Sequence, residues 1–155
     1  MNTLTVTKEI TFDCAHMLSG HEGLCQNLHG HTYKVLVTVG GQQLTDGPSK
    51  GMIIDFKHLK YAIEVAILDN FDHAIIFSGR EYRNDAEQAL YEWAVGYNMR
   101  HYVMPRRTTA ECMAQHFQIL IADYIANELG PVFYPTFPVL SRFIPLAAID
   151  CFKGI

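Results

Sequence analysis

The chain has 155 residues, of which 49% are apolar and 18% charged, and its net charge at pH 7 is −4. This length and composition predict one globular domain with a single buried core. The net negative charge argues against nucleic acid as a partner, and no run of 18 apolar residues indicates a membrane span. The N-terminal residues lack the pattern of a signal peptide, so we expect a cytoplasmic protein that acts on a small molecule.

The first part of the chain predicts a β-hairpin. Residues 4–15 and 32–40 are rich in β-branched side chains, which favour strands, and the connection 17–28 is short enough to pair them. His29 and His31 precede the second strand with one residue between them. In an extended chain both imidazoles therefore leave the same face.

These histidines predict a metal site. His16 follows the first strand, so the hairpin would bring it to His29 and His31, and Gly30 adds no side chain that would crowd the opposite face. Three neutral imidazoles suit zinc, and a set of three histidines leaves one position open for water or substrate, as in catalytic sites. The alternative is a turn whose imidazoles are exposed to solvent.

The four cysteines show no C-x-x-C spacing, so free thiols are predicted rather than disulfides. Cys25 lies four residues before His29, where a nearby cation would lower the pKa of its thiol. Small buried side chains are the interpretation for the other three, which are Cys14, Cys112 and Cys151.

The middle of the chain predicts a helix that begins after Asp55 as N-cap and ends near the sequence Phe71-Asp72-His73, followed by a strand at 74–77. Asp72 and His73 place a carboxylate beside an imidazole, and the carboxylate would orient the imidazole for proton transfer. The alternative is that Asp72 caps a turn and His73 packs at a helix end.

The rest of the chain predicts a helix at 84–97, a strand at 100–104 and a long helix that ends before Gly130. Thr108 and Glu111 have the spacing of a capping box for this last helix. A short strand at 51–54 and two C-terminal strands, at 139–144 and 147–152, complete the predicted elements.

The motifs together resemble the 6-pyruvoyl-tetrahydropterin synthase family. They are Cys25-x-x-x-His29-Gly30-His31, the residues Phe-Asp-Cys-Ala-His at 12–16, and Phe-Asp-His at 71–73. The three-residue gap after the cysteine resembles the bacterial 6-carboxytetrahydropterin synthase branch of queuosine biosynthesis. The resemblance extends from about residue 6 to about residue 129.

The resemblance implies an α+β tunnelling fold (T-fold), in which an antiparallel sheet carries two main helices on one face and oligomerises into a barrel. Residues 1–155 would form a single domain, with 79–104 as a family-variable insertion. Family members are hexamers made of two trimers, so we expect a homo-oligomer with sites between subunits.

The implied activity is that of a zinc-dependent lyase with a pterin substrate, which converts 7,8-dihydroneopterin triphosphate to 6-carboxytetrahydropterin with loss of acetaldehyde and triphosphate. The resemblance makes Cys25 the base, and Asp72 with His73 the group that returns a proton. The remaining implied roles are zinc binding by His16, His29 and His31, pterin binding by Thr109 and Glu111, and triphosphate binding by Lys34, Arg106 or Arg107.

One departure concerns the pterin. Family members carry a glutamate in the last strands that holds the pterin ring, whereas no glutamate follows Glu128 here, and the matching position falls near Ile144. This keeps open 6-pyruvoyl-tetrahydropterin synthase activity or a different pterin-like substrate. An alternative of another class is a zinc-binding protein without turnover, in which Cys25 is a fourth ligand.

Overall fold

The computed structural model describes residues 4–129 and the backbone of residues 146–152. Five strands form one sheet: β1 (Leu4–His16), β2 (His29–Gly41), β3 (Ile75–Phe77), β4 (His101–Val103) and β5 (Leu146–Phe152). The helices are α1 (Phe56–Ile63), α2 (Asp69–Phe71), α3 (Asp85–Gly96) and α4 (Ala110–Tyr124). A π-helical turn, Glu64–Leu68, joins α1 to α2, and a second, Ile125–Leu129, extends α4.

The predicted hairpin is confirmed. Strands β1 and β2 pair antiparallel over their whole length, from Leu4 opposite Gly41 to His16 opposite His29. Alternate residues of β2, including Val35, are buried, because one face of this hairpin packs on the helices.

The core lies between that face and two main helices, as predicted. Asp55 accepts a hydrogen bond from the backbone N–H of Lys57 at 2.8 Å and so caps the start of α1. The buried side chains that fill this layer from the helices include Leu59, Ile63, Met113, Phe117 and Ile121.

The sheet order is β4-β3-β1-β2-β5. The antiparallel arrangement holds for the three long strands, whereas β3 pairs parallel with β1, and β4 pairs parallel with β3. Parallel neighbours require a crossover connection, and α3 provides it between β3 and β4. The predicted helix at 84–97 and strand at 100–104 therefore form one crossover unit at the sheet edge.

Three further strand predictions have different outcomes. The strand predicted at 51–54 is wrong, because these residues form turns and bends before α1. The strand predicted at 139–144 lies outside the described residues, whereas β5 agrees with the strand predicted at 147–152.

Candidate metal centre and active site

The three predicted histidines come together at one end of the hairpin. His16 is the last residue of β1 and lies opposite His29, the first residue of β2, and His31 follows two residues later on the same face. One ring nitrogen from each of the three lies within 4.8 Å of the others, a grouping that can hold a metal ion. The alternation of side chains along the strands therefore brings the three histidines together, as predicted.

Hydrogen bonds set the orientation of two of these rings. Nδ1 of His16 donates to the carbonyl oxygen of Thr108 at 2.8 Å, and Nδ1 of His29 donates to that of Asn27 at 2.7 Å. The Nε2 atoms of both rings are buried and have no hydrogen-bond partner. Burying an acceptor without a partner costs free energy, and a bound cation would remove that cost. The residues present therefore fit a metal ion held by Nε2 atoms.

Burial keeps His16 in the form that binds metal. Desolvation lowers the pKa of His16 to about 4, opposed by the hydrogen bond to Thr108 and assisted by the neighbouring charges of His29 and His31. A neutral imidazole is the ligand form, so this side chain is ready to bind metal at neutral pH without first losing a proton.

Cys25 lies in a single 3₁₀ turn, Leu24–Gln26, within the loop between the two strands. The side chain of Cys25 is partly exposed. The backbone carbonyl oxygen of Cys25 accepts a hydrogen bond from the N–H of Leu18 at 2.8 Å. Among the residues that the structure describes, the ligand atoms within 4.8 Å of one another come from the three histidines and do not include this thiol. This arrangement favours an open site over one closed by Cys25.

The second predicted group, Asp72 and His73, lies in the turn after α2. Oδ1 of Asp72 is 2.9 Å from Nδ1 of His73, whose side chain is 76% exposed. His73 has a φ of 58°, which is uncommon for a residue other than glycine, and its N–H donates to the carbonyl oxygen of Asp13 at 2.6 Å. The N–H of Asp13 donates to Oδ1 of Asp72 at 3.2 Å, so β1 holds this turn from two sides.

Arg100, just before β4, is a further contact of this turn that the sequence did not reveal. Its guanidinium donates to the carbonyl oxygens of Asp72 at 2.7 Å, Asp69 at 2.6 Å and Leu68 at 3.3 Å. These carbonyls lie at the C-terminal end of a helix, so a cation there also opposes the negative end of the helix dipole. No motif marked this arginine, because its partners are backbone atoms about 30 residues away.

His73 lines a cavity of about 460 Å³ at the end of the hairpin. Asp13, Ala15, Gly30 and Thr32 line it as well, and these residues alternate along their strands with the three histidines, so their side chains point to the other face of the sheet. His31 also lines this cavity, which therefore reaches one of the three histidines. Among the residues that the structure describes, His73 is not part of the group of ligand atoms within 4.8 Å of one another.

Comparison with known proteins identifies the family of the chain. The model of the 6-pyruvoyl tetrahydropterin synthase family matches residues 5–133. The chain belongs to this family. It is 43% identical over 110 residues to the 6-carboxy-5,6,7,8-tetrahydropterin synthase of Haemophilus influenzae, covering 71% of this chain and 76% of that protein. A relative of the same name from Rickettsia felis is 34% identical over 126 residues, covering 81% and 79%.

Solved structures show the same fold. The 6-pyruvoyl tetrahydropterin synthase of Plasmodium falciparum superposes with a TM-score of 0.61 at 16% identity, covering 97% of this chain and 99% of that one. The α+β tunnelling fold expected for a member of the 6-pyruvoyl tetrahydropterin synthase family is thereby confirmed. No helix in the described part of the chain is long and apolar enough to cross a bilayer.

The start of α4 lies beside the three histidines, because Thr108 accepts the hydrogen bond from His16. The predicted capping box of Thr108 and Glu111 is wrong. Thr109 is the N-cap and accepts from the N–H of Cys112 at 3.3 Å, whereas the hydroxyl of Thr108 is buried and donates to the carbonyl oxygen of Met17 at 3.0 Å. A tertiary hydrogen bond thus uses the side chain that sequence spacing assigned to the cap. Glu111 is exposed in the first turn of α4.

The predicted triphosphate-binding side chains have separate partners. Nζ of Lys34 is 3.3 Å from a carboxylate oxygen of Glu9. Arg106 donates to Oε1 of Gln115 at 2.9 Å, and Arg107 donates to the carbonyl oxygen of Ser19 at 2.8 Å. Their role toward triphosphate stays a prediction.

Proposed function

We propose that this protein is a zinc-dependent 6-carboxytetrahydropterin synthase. It would convert 7,8-dihydroneopterin triphosphate and water to 6-carboxytetrahydropterin, acetaldehyde and triphosphate, in the cytoplasm and as a step of queuosine biosynthesis. The observation that carries the proposal is the pair of buried, unpartnered Nε2 atoms on His16 and His29 in a chain with relatives of that name. Zinc is the metal proposed, because three neutral imidazoles with one open position are typical of catalytic zinc.

Each group has a distinct task in this proposal. His16, His29 and His31 hold the metal, which when bound acts as a Lewis acid toward the hydroxyl oxygens of the substrate side chain. Cys25 takes a proton from the substrate carbon next to such a hydroxyl. His73, held at 2.9 Å by Asp72, returns a proton to the substrate. Thr109 and Glu111, at the start of α4, are the proposed pterin contacts.

The positions of the two groups support a site shared between subunits. In one subunit, His73 is not part of the group of histidine ligand atoms, and most β1 and β2 residues that line its cavity point to the sheet face opposite the three histidines. We therefore propose that Asp72 and His73 serve the metal site of an adjacent subunit in a homo-oligomer, with the hexamer of two trimers and its barrel as the expected form. The solvent-facing side of the hairpin, with Thr7, Glu9 and Thr11, would line that barrel.

The test is turnover of 7,8-dihydroneopterin triphosphate by the zinc-loaded protein, with products identified by mass spectrometry and acetaldehyde trapped as its hydrazone. Formation of 6-carboxytetrahydropterin with equimolar acetaldehyde supports the proposal, and protein treated with a chelator should be inactive until zinc is restored. Triphosphate release without acetaldehyde would instead identify a 6-pyruvoyl-tetrahydropterin synthase. The absence of any product would contradict both.

The open site itself can be tested with cobalt in place of zinc. Because Cys25 lies outside the group of ligand atoms within 4.8 Å, we expect no sulfur-to-metal charge-transfer band in the absorption spectrum. A strong band of this kind would favour the non-catalytic alternative, in which Cys25 closes the site.

A further inference from the structure

Glu87 is a buried carboxylate that the proposed chemistry does not use. It lies in the first turn of α3, within the segment at the sheet edge, and its exposed fraction is 0%. A carboxylate is rarely buried to this extent unless each oxygen has a hydrogen-bond donor. The contacts of Glu87 therefore indicate what its burial achieves.

Both carboxylate oxygens of Glu87 accept hydrogen bonds from residues outside its own helix. The spacing of Asn84 and Glu87 is that of a capping box, in which the acid would accept from the N–H of the N-cap residue. Here the hydroxyl of Ser19 accepts from that N–H at 3.1 Å instead. Glu87 accepts from the Ser19 hydroxyl and, at 2.7 Å, from the N–H of Ser78 just after β3. The acid thus joins α3 to the loop between β1 and β2.

The loop residue that Glu87 holds is connected to both parts of the proposed site. The carbonyl oxygen of Ser19 accepts from Arg107 at 2.8 Å, and the next residue, Thr108, accepts from His16 at 2.8 Å. On the other side, the N–H of Leu18 donates to the carbonyl oxygen of Cys25 at 2.8 Å. Ser19 is therefore a junction between the segment that supports a metal ligand and the turn that carries the thiol.

We propose that Glu87 is a positioning residue, which fixes the loop of residues 17–28 so that Cys25 is held in place relative to the three histidines. The expected effect on catalysis rests on the proposed function. The expected effect on the loop depends only on the contacts of Ser19. Glu87 also gives the 79–104 segment a role beyond forming the crossover at the sheet edge, because the helix in that segment supplies the carboxylate.

The test compares three variants of the zinc-loaded protein: Glu87→Gln, Ser19→Ala and the double variant. An amide presents N–H in place of one oxygen, so either Ser19 or Ser78 loses its acceptor in Glu87→Gln. Ser19→Ala removes the same contact from the loop side and leaves the buried acid in place, which covers the case in which Glu87→Gln does not fold. Glu92→Gln, an exposed acid on the same helix, is the matched control.

The first measurement is amide hydrogen exchange of residues 17–28. Losing a hydrogen bond to a charged acceptor should speed exchange in this loop by about 10-fold, with β2 unchanged and Glu92→Gln like the parent protein. The effect of the double variant should be smaller than the sum of the two single effects, because both substitutions disturb the Ser19–Glu87 contact. Unchanged exchange in the loop, or an equal rise in β2, would overturn the proposal, since the second result describes general loosening.

The second measurement is turnover of 7,8-dihydroneopterin triphosphate. Both single variants should lower kcat by about 10-fold with little change in KM and with full zinc content, because the thiol is displaced while the metal site is kept. An active parent protein whose variants show faster loop exchange but unchanged kcat would overturn the positioning role. A parent protein without turnover would instead count against the proposed function, and the exchange measurement would still decide whether Glu87 holds the loop.

Discussion

The three histidines and the Asp72–His73 pair are built in opposite ways. The histidines lie at the ends of two 13-residue strands, where the register fixes their spacing, and His16 is only 6% exposed. The side chain of His73 is 76% exposed in a turn, where its φ is positive and its N–H donates to Asp13. Arg100 holds the same turn through the carbonyl oxygen of Asp72. The first group is set by regular structure and the second by individual hydrogen bonds.

The difference corresponds to the proposed tasks. A metal ligand must stay neutral and immobile, which burial and strand geometry provide. A group that exchanges protons with a substrate must be reachable, so it cannot be buried in its own subunit. The comparison therefore predicts that changes in the first region remove the metal, whereas changes in the second leave the metal and slow the reaction.

The largest expected effect is that of His29→Ala. Losing a residue that hydrogen-bonds to a metal ligand typically lowers metal affinity by roughly 10- to 100-fold. His29→Ala removes a ligand itself, so zinc affinity should fall by more than this. Metal analysis after dialysis measures this. His21→Ala is the control, because His21 is exposed in the neighbouring loop, and it should keep full zinc content. Full zinc occupancy in His29→Ala would show that the ligand set is wrong.

The next effect is that of removing the proposed proton-transfer groups. Cys25→Ala and His73→Asn should each keep zinc and lower kcat by about 100- to 10,000-fold, as expected for a lost acid or base. Asparagine suits position 73 because it tolerates positive φ. Asp72→Asn should cost less than His73→Asn, since the imidazole remains. A Cys25→Ala protein without zinc would make the thiol a ligand and overturn the assignment.

The comparison also explains how much could be predicted from the sequence. Strand period and loop length were enough to group His16, His29 and His31, because these properties are local. The N-cap of α4 was misplaced by one residue, since the hydroxyl of Thr108 binds Met17, which lies 91 residues away in the chain. Arg100 has no local signal, and the capping-box spacing of Glu87 indicates a contact within its own helix rather than those with Ser19 and Ser78. Their partners are defined only by the fold.

A smaller effect concerns the stability of the metal-free protein. Burial lowers the pKa of His16 from 6.5 to about 4, so between these pH values the unfolded chain binds a proton that the folded chain does not. The free energy of unfolding should therefore decrease as pH falls from 6.5 to 4, by about 3 kcal/mol from this group. Urea denaturation at pH 7.5 and 4.5 measures the decrease. It should be smaller in His16→Gln, and an equal decrease would show that other groups cause it.

The smallest effect is that of Arg100, which tests whether the turn at His73 depends on its hydrogen bonds. Arg100→Ala removes three donors from the carbonyl oxygens of Leu68, Asp69 and Asp72. Because these atoms are exposed, water replaces part of the loss, and we expect kcat to fall by about 10-fold with zinc content unchanged.

Arg100→Lys should be intermediate, since an ammonium group lacks the planar fork that reaches several carbonyls at once. Arg80→Ala, an exposed arginine in the same 79–104 segment, is the control and should behave like the parent protein. A loss of zinc in Arg100→Ala would contradict the separation between the two regions. Unchanged kcat would show that Asp13 alone holds His73, because its carbonyl oxygen still accepts from the N–H of His73 at 2.6 Å.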